Sequence, residues 1–273
     1  MISIIRKNIR NVLNEIMGRL RGLGRVHSKK FQLAGYTIYL DQFEEIQSNI
    51  SLGIFEPTET KWVYEILKPG MTFVDVGANI GYFSLIASSI VGNVGKVYSF
   101  EPSLYAYEKL CQSIKQNKIN NIYHFNCGLS DNPEDRKLSL RDSKLHSPSF
   151  CYANGINSRH IKTINLGILK LITLDCFAED NHIEFIDLVK IDVEGYEPNV
   201  IRGMIRLLQH NKVNRIMIEY NDYWLAQNDS TSEKMDTLIC SFGFVLENRN
   251  IYPVSTTDNY VYGNYVYVNE RAS

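Results

Sequence analysis

Three short stretches of this chain gather residue types that can bind a nucleoside and move a proton. In Thr72-Phe-Val-Asp-Val-Gly-Ala-Asn-Ile-Gly81 an apolar run ends on Asp75 and is followed by Gly77 and Gly81. Glycines at such a junction let a ligand approach the backbone or allow a positive φ. The spacing is Gly-x-x-x-Gly, whereas a dinucleotide pyrophosphate uses Gly-x-Gly-x-x-Gly to reach a helix N-terminus. The loop therefore suits an adenosine ligand without phosphates. A carboxylate such as Asp75 inside an apolar strand is costly unless bonded. It accepts N–H bonds from the loop or meets a cationic end of the ligand, and both uses stabilise the ionised form. Asn79 brings an amide to the helix start, as a ligand contact or as an N-cap.

The second stretch, Phe100-Glu-Pro102, puts Glu101 at the tip of the next strand, about two dozen residues after the loop. An acid there accepts hydrogen bonds from both ribose hydroxyls. Asn126-Cys-Gly128 ends a third strand, where Asn126 would lie beside an adenine.

The third stretch is Leu188-Val-Lys-Ile-Asp-Val-Glu-Gly-Tyr-Glu197. Glu197 precedes Pro198 and is read as an acid at a helix start, complementing the positive helix end. Asp192 emerges where a parallel sheet meets its ligand, and Glu194 follows beside Gly195. Lys190 alternates with Asp192 and shares its side of the strand. Glu219-Tyr-Asn221, at a fifth strand end, adds oxygen donors to Asp192. Metal-dependent catechol-type methyltransferases use a similar set, but the match is loose and no metal is assigned.

These residues need an alternating scaffold, and the patterning provides one. Strands are expected at Phe73–Val76, Lys96–Glu101, Ile122–Asn126, Ile186–Asp192 and Arg215–Glu219. Helices are expected at Tyr82–Val91, Leu104–Asn117 and Pro198–His210. Such alternation gives a parallel sheet with right-handed crossovers. A helix at Glu233–Ser241 and strands at Phe244–Glu247 and Asn259–Val268 close the chain, the last strand antiparallel. Before the sheet, Phe31–Leu40 reads as a strand or hairpin arm and Pro57–Lys68 as a helix stopped by Pro69-Gly70. Residues 131–170 are polar and break the rhythm. They read as an insertion over the carboxyl ends of the strands, where ligand loops gather.

The 273 residues, 44% apolar and 22% charged, fit one large globular domain with a small appendage. The five scattered cysteines form no Cys-x-x-Cys pair, which implies reduced thiols in a cytoplasmic setting. No apolar run is long enough to span a bilayer. Residues 1–30 carry eight lysines and arginines against one acid, Glu15. Ile2, Ile5, Ile9, Val12, Leu13, Ile16, Met17 and Leu20 recur at helical spacing, which makes a basic amphipathic helix. It packs on the body or a second copy as a homodimer contact, lies through residues 1–24 on an anionic inner-membrane surface, or touches an acidic partner. No basic–aromatic pattern marks a nucleic-acid partner.

Phe73-Val-Asp-Val-Gly-Ala-Asn-Ile-Gly81, Phe100-Glu-Pro102 and Val189-Lys-Ile-Asp-Val-Glu-Gly-Tyr-Glu197 together resemble the FkbM-type S-adenosylmethionine-dependent methyltransferases. The resemblance covers roughly residues 53–220. It implies a class I methyltransferase, Rossmann-like α/β fold with a mostly parallel seven-stranded sheet and an antiparallel terminal strand. An N-terminal helical/β appendage precedes it. The domains are then a basic arm at 1–30, a cap at 31–70 and a methyltransferase domain at 71–273. The resemblance also implies S-adenosylmethionine as cofactor and a hydroxyl on a sugar, glycan or secondary metabolite as acceptor. By it, Asp75, Gly77, Asn79 and Gly81 line the methionine end, Glu101 binds the ribose, and the acids after strand four face the methyl group. Asp192 also counts among the cofactor contacts.

A hydroxyl is a poor nucleophile, so a base within hydrogen-bond reach helps as the new bond forms. Asp192 and Glu194 are the candidates, with His146 from the insertion as an outside one. The rival readings are an N-methyltransferase, a non-catalytic cofactor-binding or membrane-tethered module, and a nicotinamide dehydrogenase, which the glycine spacing disfavours.

Overall fold

The computed structural model describes residues 29–40, 44–141, 150–152, 163–252 and 261–272. The basic helix, the arm up to residue 28, and His146 lie outside the described residues.

A hairpin comes first, β1 (Lys29–Leu33) with β2 (Tyr36–Leu40), so the first strand begins at Lys29, not Phe31. Two helices follow, α1 (Glu45–Ser51) and α2 (Pro57–Ile66). Pro57 opens α2, where a missing N–H costs nothing. The alternating body then runs β3 (Thr72–Val76), α3 (Tyr82–Val91), β4 (Lys96–Phe100), α4 (Leu104–Asn117) and β5 (Ile122–Phe125). The insertion is a sheet of its own: β6 (Gly128–Leu129), β7 (Glu134–Arg141), β8 (Phe150–Tyr152) and β9 (Thr163–Ile172), ordered β6-β9-β7-β8. The chain returns through α5 (Leu174–Asp180), β10 (Ile186–Ile191), α6 (Glu197–Arg202), α7 (Ile205–Gln209) and β11 (Val213–Asn221). It ends with α8 (Asp222–Leu225), α9 (Ser232–Ser241), β12 (Phe244–Ile251) and β13 (Tyr262–Asn269).

The main sheet has seven strands in the order β12-β13-β11-β10-β3-β4-β5. All neighbours are parallel except those of β13, which slots antiparallel between β12 and β11. The chain order reverses between β3 and β10, and the crevice beyond the carboxyl ends at such a reversal is where open α/β sheets bind ligands.

Strand residues alternate between two apolar layers. Val74, Val76, Phe100, Val189, Ile191, Ile216 and Ile218 face one, while Phe73, Val97, Leu188, Met217 and Val266 face the other. The hairpin and α2 join the second layer, with Ile38, Leu40, Trp62 and Val63 packed in the same cluster as Phe73 and Phe83. Asn117, the last residue of α4, pins the hairpin by bonding both the N–H and the carbonyl of Thr37 at 2.7 Å.

One expected helix is split. Pro198–His210 breaks after Arg202 at Gly203, which lies so close to the backbone of Ser130 that a Cβ there would come 1.9 Å from its carbonyl oxygen. Long-range packing overrides the helical pattern there.

Candidate active site

The site is built where β3, β4, β10 and β11 end. Gly77 and Ala78 both donate to the Phe100 carbonyl at 3.0 Å, stitching the glycine loop to the end of β4. Gly77 has φ +83°, and a Cβ there would come 2.0 Å from the Asp192 carbonyl oxygen. That glycine is thus demanded by backbone angle and by the neighbouring strand end, before any ligand is considered. Gly81, at φ +91°, is the residue that caps α3. Asn79 is not that cap; it stands exposed at φ 51°, and its N–H donates to Glu101 Oε2 at 2.7 Å.

Glu101 is 5% exposed, and its other oxygen accepts from the Ser103 N–H at 2.7 Å. Burial pushes its carboxyl up to about 7, against the pull of those two N–H groups. Each oxygen keeps a second acceptor position, which suits a pair of hydroxyl donors. Asn126 spends its amide N–H groups on the Glu101 and Pro102 carbonyls at 2.9 and 3.2 Å. It therefore braces the Glu101 backbone, and only its amide oxygen is left for a ligand.

Asp75 is fully buried. Its Oδ2 accepts from Ser84 Oγ at 2.5 Å, while Oδ1 is buried with no hydrogen-bond partner. Burial raises its carboxyl, and the Lys190 ammonium opposes that rise. Asp75 and Lys190 are register partners across β3 and β10. The ammonium bonds Asp192 Oδ2 at 2.9 Å and lies 4.7 Å from the Phe83 ring centre. Burial works against that charge, but the carboxylates of Asp192, Glu56 and Asp75 outweigh it and raise Lys190 overall. One Asp192 oxygen is thus already occupied.

Beyond Asp192 the chain turns sharply through Glu194 (φ 54°) and Gly195 (φ 94°). Glu197 closes that turn, its Oε1 accepting from the Val193 and Gly195 N–H groups at 3.2 and 3.1 Å. It braces the loop, beyond the helix-start role expected of it. Burial and the nearby Asp192 charge hold Glu194 up at about 7. Glu219, 8% exposed at the end of β11, is raised by burial and by Asp192, Glu194 and Glu56. Asn221, two residues on, has a buried Oδ1 without a partner. Among the described residues, no three His, Cys, Asp or Glu side chains are grouped as metal ligands.

Asp75, Gly77, Asn79, Glu101 and Asp192 therefore converge on one crevice with Glu194 and Glu219. Sequence reading missed Glu56, whose charge reaches Lys190, Asp192 and Asp75 from the start of α2. A signal was present: Glu56-Pro57, Glu101-Pro102 and Glu197-Pro198 are three Glu-Pro pairs, each at an element end.

S-adenosylmethionine has an ammonium, a sulfonium and two ribose hydroxyls. The unpartnered Asp75 Oδ1 suits a cationic end, and the open acceptor positions of Glu101 suit the hydroxyls. The residues present fit that cofactor. When bound, it supplies a methyl group already activated by the sulfonium.

Comparison with known proteins agrees. A model of the methyltransferase FkbM domain matches residues 75–246. A model of protein-L-isoaspartate(D-aspartate) O-methyltransferase matches residues 3–130, less than half of the chain. Hexuronic acid methyltransferase AglP of Haloferax volcanii is 29% identical over 145 residues, 53% of this chain. The match spans 54% of that relative, about half its length. Methyltransferase sdnD of Sordaria araneosa is 27% identical over 176 residues, 55% of this chain and 68% of the relative. The crystal structure of methyltransferase FkbM from Methylobacillus flagellatus aligns with TM-score 0.45 and 15% identity, covering 83% of this chain and 54% of that one. Because the family match runs unbroken from Asp75 in β3 to Leu246 in β12, well over half of the sequence, the chain belongs to the FkbM methyltransferase domain family.

Proposed function

We propose that this protein transfers a methyl group from S-adenosylmethionine to a hydroxyl oxygen on a sugar, glycan or secondary metabolite. Asp75, Gly77, Asn79 and Gly81 hold the methionine end, and Glu101 holds the ribose, itself braced by Asn126. Transfer from a sulfonium needs no covalent intermediate, so the protein contributes alignment and proton removal.

The observation that carries this reading is Glu194. It is half-buried two residues beyond Asp192, on a turn locked by Glu197, and desolvation with the Asp192 charge holds its carboxyl at about 7. A base with that affinity is half-ionised at neutral pH and is matched to its task. Glu194 takes the hydroxyl proton as the carbon–oxygen bond forms. Asp192, held by Lys190, orients the acceptor and keeps the local field negative. The relative that acts on a hexuronic acid supports a sugar as the acceptor class.

S-adenosylhomocysteine release, measured against a panel of glycosides, tests the reading. Cofactor consumption that depends on a glycoside supports it; binding of S-adenosylhomocysteine with no acceptor-dependent turnover would leave a binding module instead. The basic helix at residues 1–24 is proposed as a peripheral membrane or subunit contact. Among the described residues no helix is long and apolar enough to cross a membrane.

A further inference from the structure

The helix that precedes the sheet carries an acid into the crevice. Glu56 stands immediately before α2 with φ 40°, a left-handed backbone that residues with a Cβ rarely adopt. Such a conformation persists only where its surroundings over-determine it. Here they do. The Phe55 ring meets Tyr82 edge-on at 5.0 Å, and the Tyr82 hydroxyl is 3.0 Å from Thr60 Oγ1. From the residue before Thr60, Glu59 Oε1 accepts from Asn250 at 2.9 Å and from Tyr252 at 2.7 Å. The helix is thus clamped between α3 and the β12–β13 pair, and Glu56 is fixed with it.

Its Oε2 atom is buried with no hydrogen-bond partner. Asn221 Oδ1 is buried and unpartnered as well, and Glu219 is nine-tenths buried. Glu219 is the register partner of Asn264, whose amide bonds the Tyr252 hydroxyl at 3.3 Å, and that hydroxyl reaches Glu59 at 2.7 Å, three residues after Glu56, so the end of β11 and the start of α2 are tied together. Lys190 is the cation of this group; it is 3% exposed, paired with Asp192 and in register with Asp75. An acceptor entering here meets acids and an amide oxygen, with no free cation among these residues.

We propose that Glu56 is an acceptor-binding residue which, with Glu219, holds hydroxyl groups of an uncharged polyhydroxylated acceptor. The proposal rests on the methyl-transfer reading above. A hydroxyl gives the orphaned Oε2 the donor it lacks, whereas a carboxylate on the acceptor brings only acceptor oxygens and further charge to a crevice already lined by Glu56, Asp192, Glu194 and Glu219. Burial pushes Glu56 up to about 8, with Lys190 opposing, so near neutrality its carboxyl can donate as well as accept. Sugar hydroxyls match both roles. The acid in the relative's named substrate is therefore a feature this crevice selects against.

The test uses the full chain. Affinity for S-adenosylhomocysteine is measured first, by calorimetry. Its release from S-adenosylmethionine is then followed with methyl glycosides of glucose, galactose, mannose, rhamnose and fucose, and with glucuronate and galacturonate. At least one neutral glycoside is expected to turn over ten-fold or more faster than either uronate. Glu56→Asn, which accepts a left-handed backbone but shortens the reach, should raise KM for that glycoside at least ten-fold, with kcat within three-fold and S-adenosylhomocysteine affinity within two-fold. Glu56→Gln, which keeps the reach, should recover most of the loss. A preference for a uronate overturns the proposal. So does a KM unchanged in folded Glu56→Asn, or a cofactor-binding protein that accepts none of the neutral glycosides. Failure to bind S-adenosylhomocysteine, or binding with turnover of no glycoside and no uronate, overturns the underlying reading as well.

Discussion

Lys190 faces Asp75 in register across β10 and β3, and the same ammonium bonds Asp192 at 2.9 Å. One buried cation thus joins the carboxylate of β3 to the one beyond β10. Lys190→Met should leave the Asp75, Asp192 and Glu56 carboxyl groups facing one another without compensation. Removing one partner of a buried ion pair costs about 3–5 kcal/mol. Denaturant unfolding should show a loss of that order, and a loss below ~1 kcal/mol would mean that water reaches these carboxyl groups.

Glu194→Gln should bind S-adenosylhomocysteine within two-fold of the natural chain and lose roughly 10²–10⁴-fold in kcat, the range supplied by a positioned base. In the natural chain the rate should rise with pH through about 7, because protonated Glu194 cannot accept the hydroxyl proton. A pH profile flat from 6 to 8, or full turnover by the variant, would assign proton removal elsewhere. Asp192→Asn is the companion measurement; it should lower turnover without that change in pH profile.

Glu101→Gln should weaken the cofactor. The amide keeps one acceptor oxygen and no charge, so one of the two acceptor positions that Glu101 leaves open beyond the Asn79 and Ser103 N–H groups is lost to a ribose hydroxyl. A hydrogen bond to a charged group contributes about 1.5–3 kcal/mol, which corresponds to roughly a ten- to hundred-fold rise in Kd. Calorimetry with S-adenosylhomocysteine reads this directly, and an unchanged Kd would remove Glu101 from the ribose site.

Gly77→Ala should fail on two counts. Its φ of +83° is unfavourable for alanine, and its Cβ would overlap the Asp192 carbonyl. Because that carbonyl is backbone, the strand end must shift to make room. The variant should lose about 2 kcal/mol or more of stability and most cofactor affinity. A thermal midpoint within ~1 °C of the natural chain would show that the loop adapts.

The cofactor-free protein should be more stable at pH 5.5 than at pH 8. Burial raises Glu101 and Glu194 to about 7 and Glu56 and Glu197 to about 8, against 4.5 for an ordinary glutamate. Between those limits the folded state holds protons that the unfolded chain has released, so stability falls as pH rises. The contribution is complete below about pH 4.5 and gone above about pH 8. Unfolding midpoints across that range measure it, and stability rising with pH would contradict the burial of these acids.

Much of this architecture was legible without coordinates. The helices Tyr82–Val91 and Leu104–Asn117 fall where their patterning put them, and the five parallel strands lie within two residues of expectation. Helical spacing, apolar runs and capping are properties of neighbouring residues, so a sequence displays them. The same holds for the placement of the glycine loop and of Glu101, both of which stand at strand ends as expected. Other assignments depended on distant partners. Asn126 turned out to brace Glu101, the helix after Pro198 broke on Ser130, and Glu197 closed the turn that carries Glu194. Glu56 joined the crevice only because α2 is clamped by Tyr82, Asn250 and Tyr252, the last two nearly two hundred residues away. What the sequence determined by itself was the order of elements and the glycine loop after β3, because local chemistry specifies them. Which acids share one low-dielectric crevice was decided by strand register and by the docking of α2, since burial and charge coupling exist only once remote segments meet.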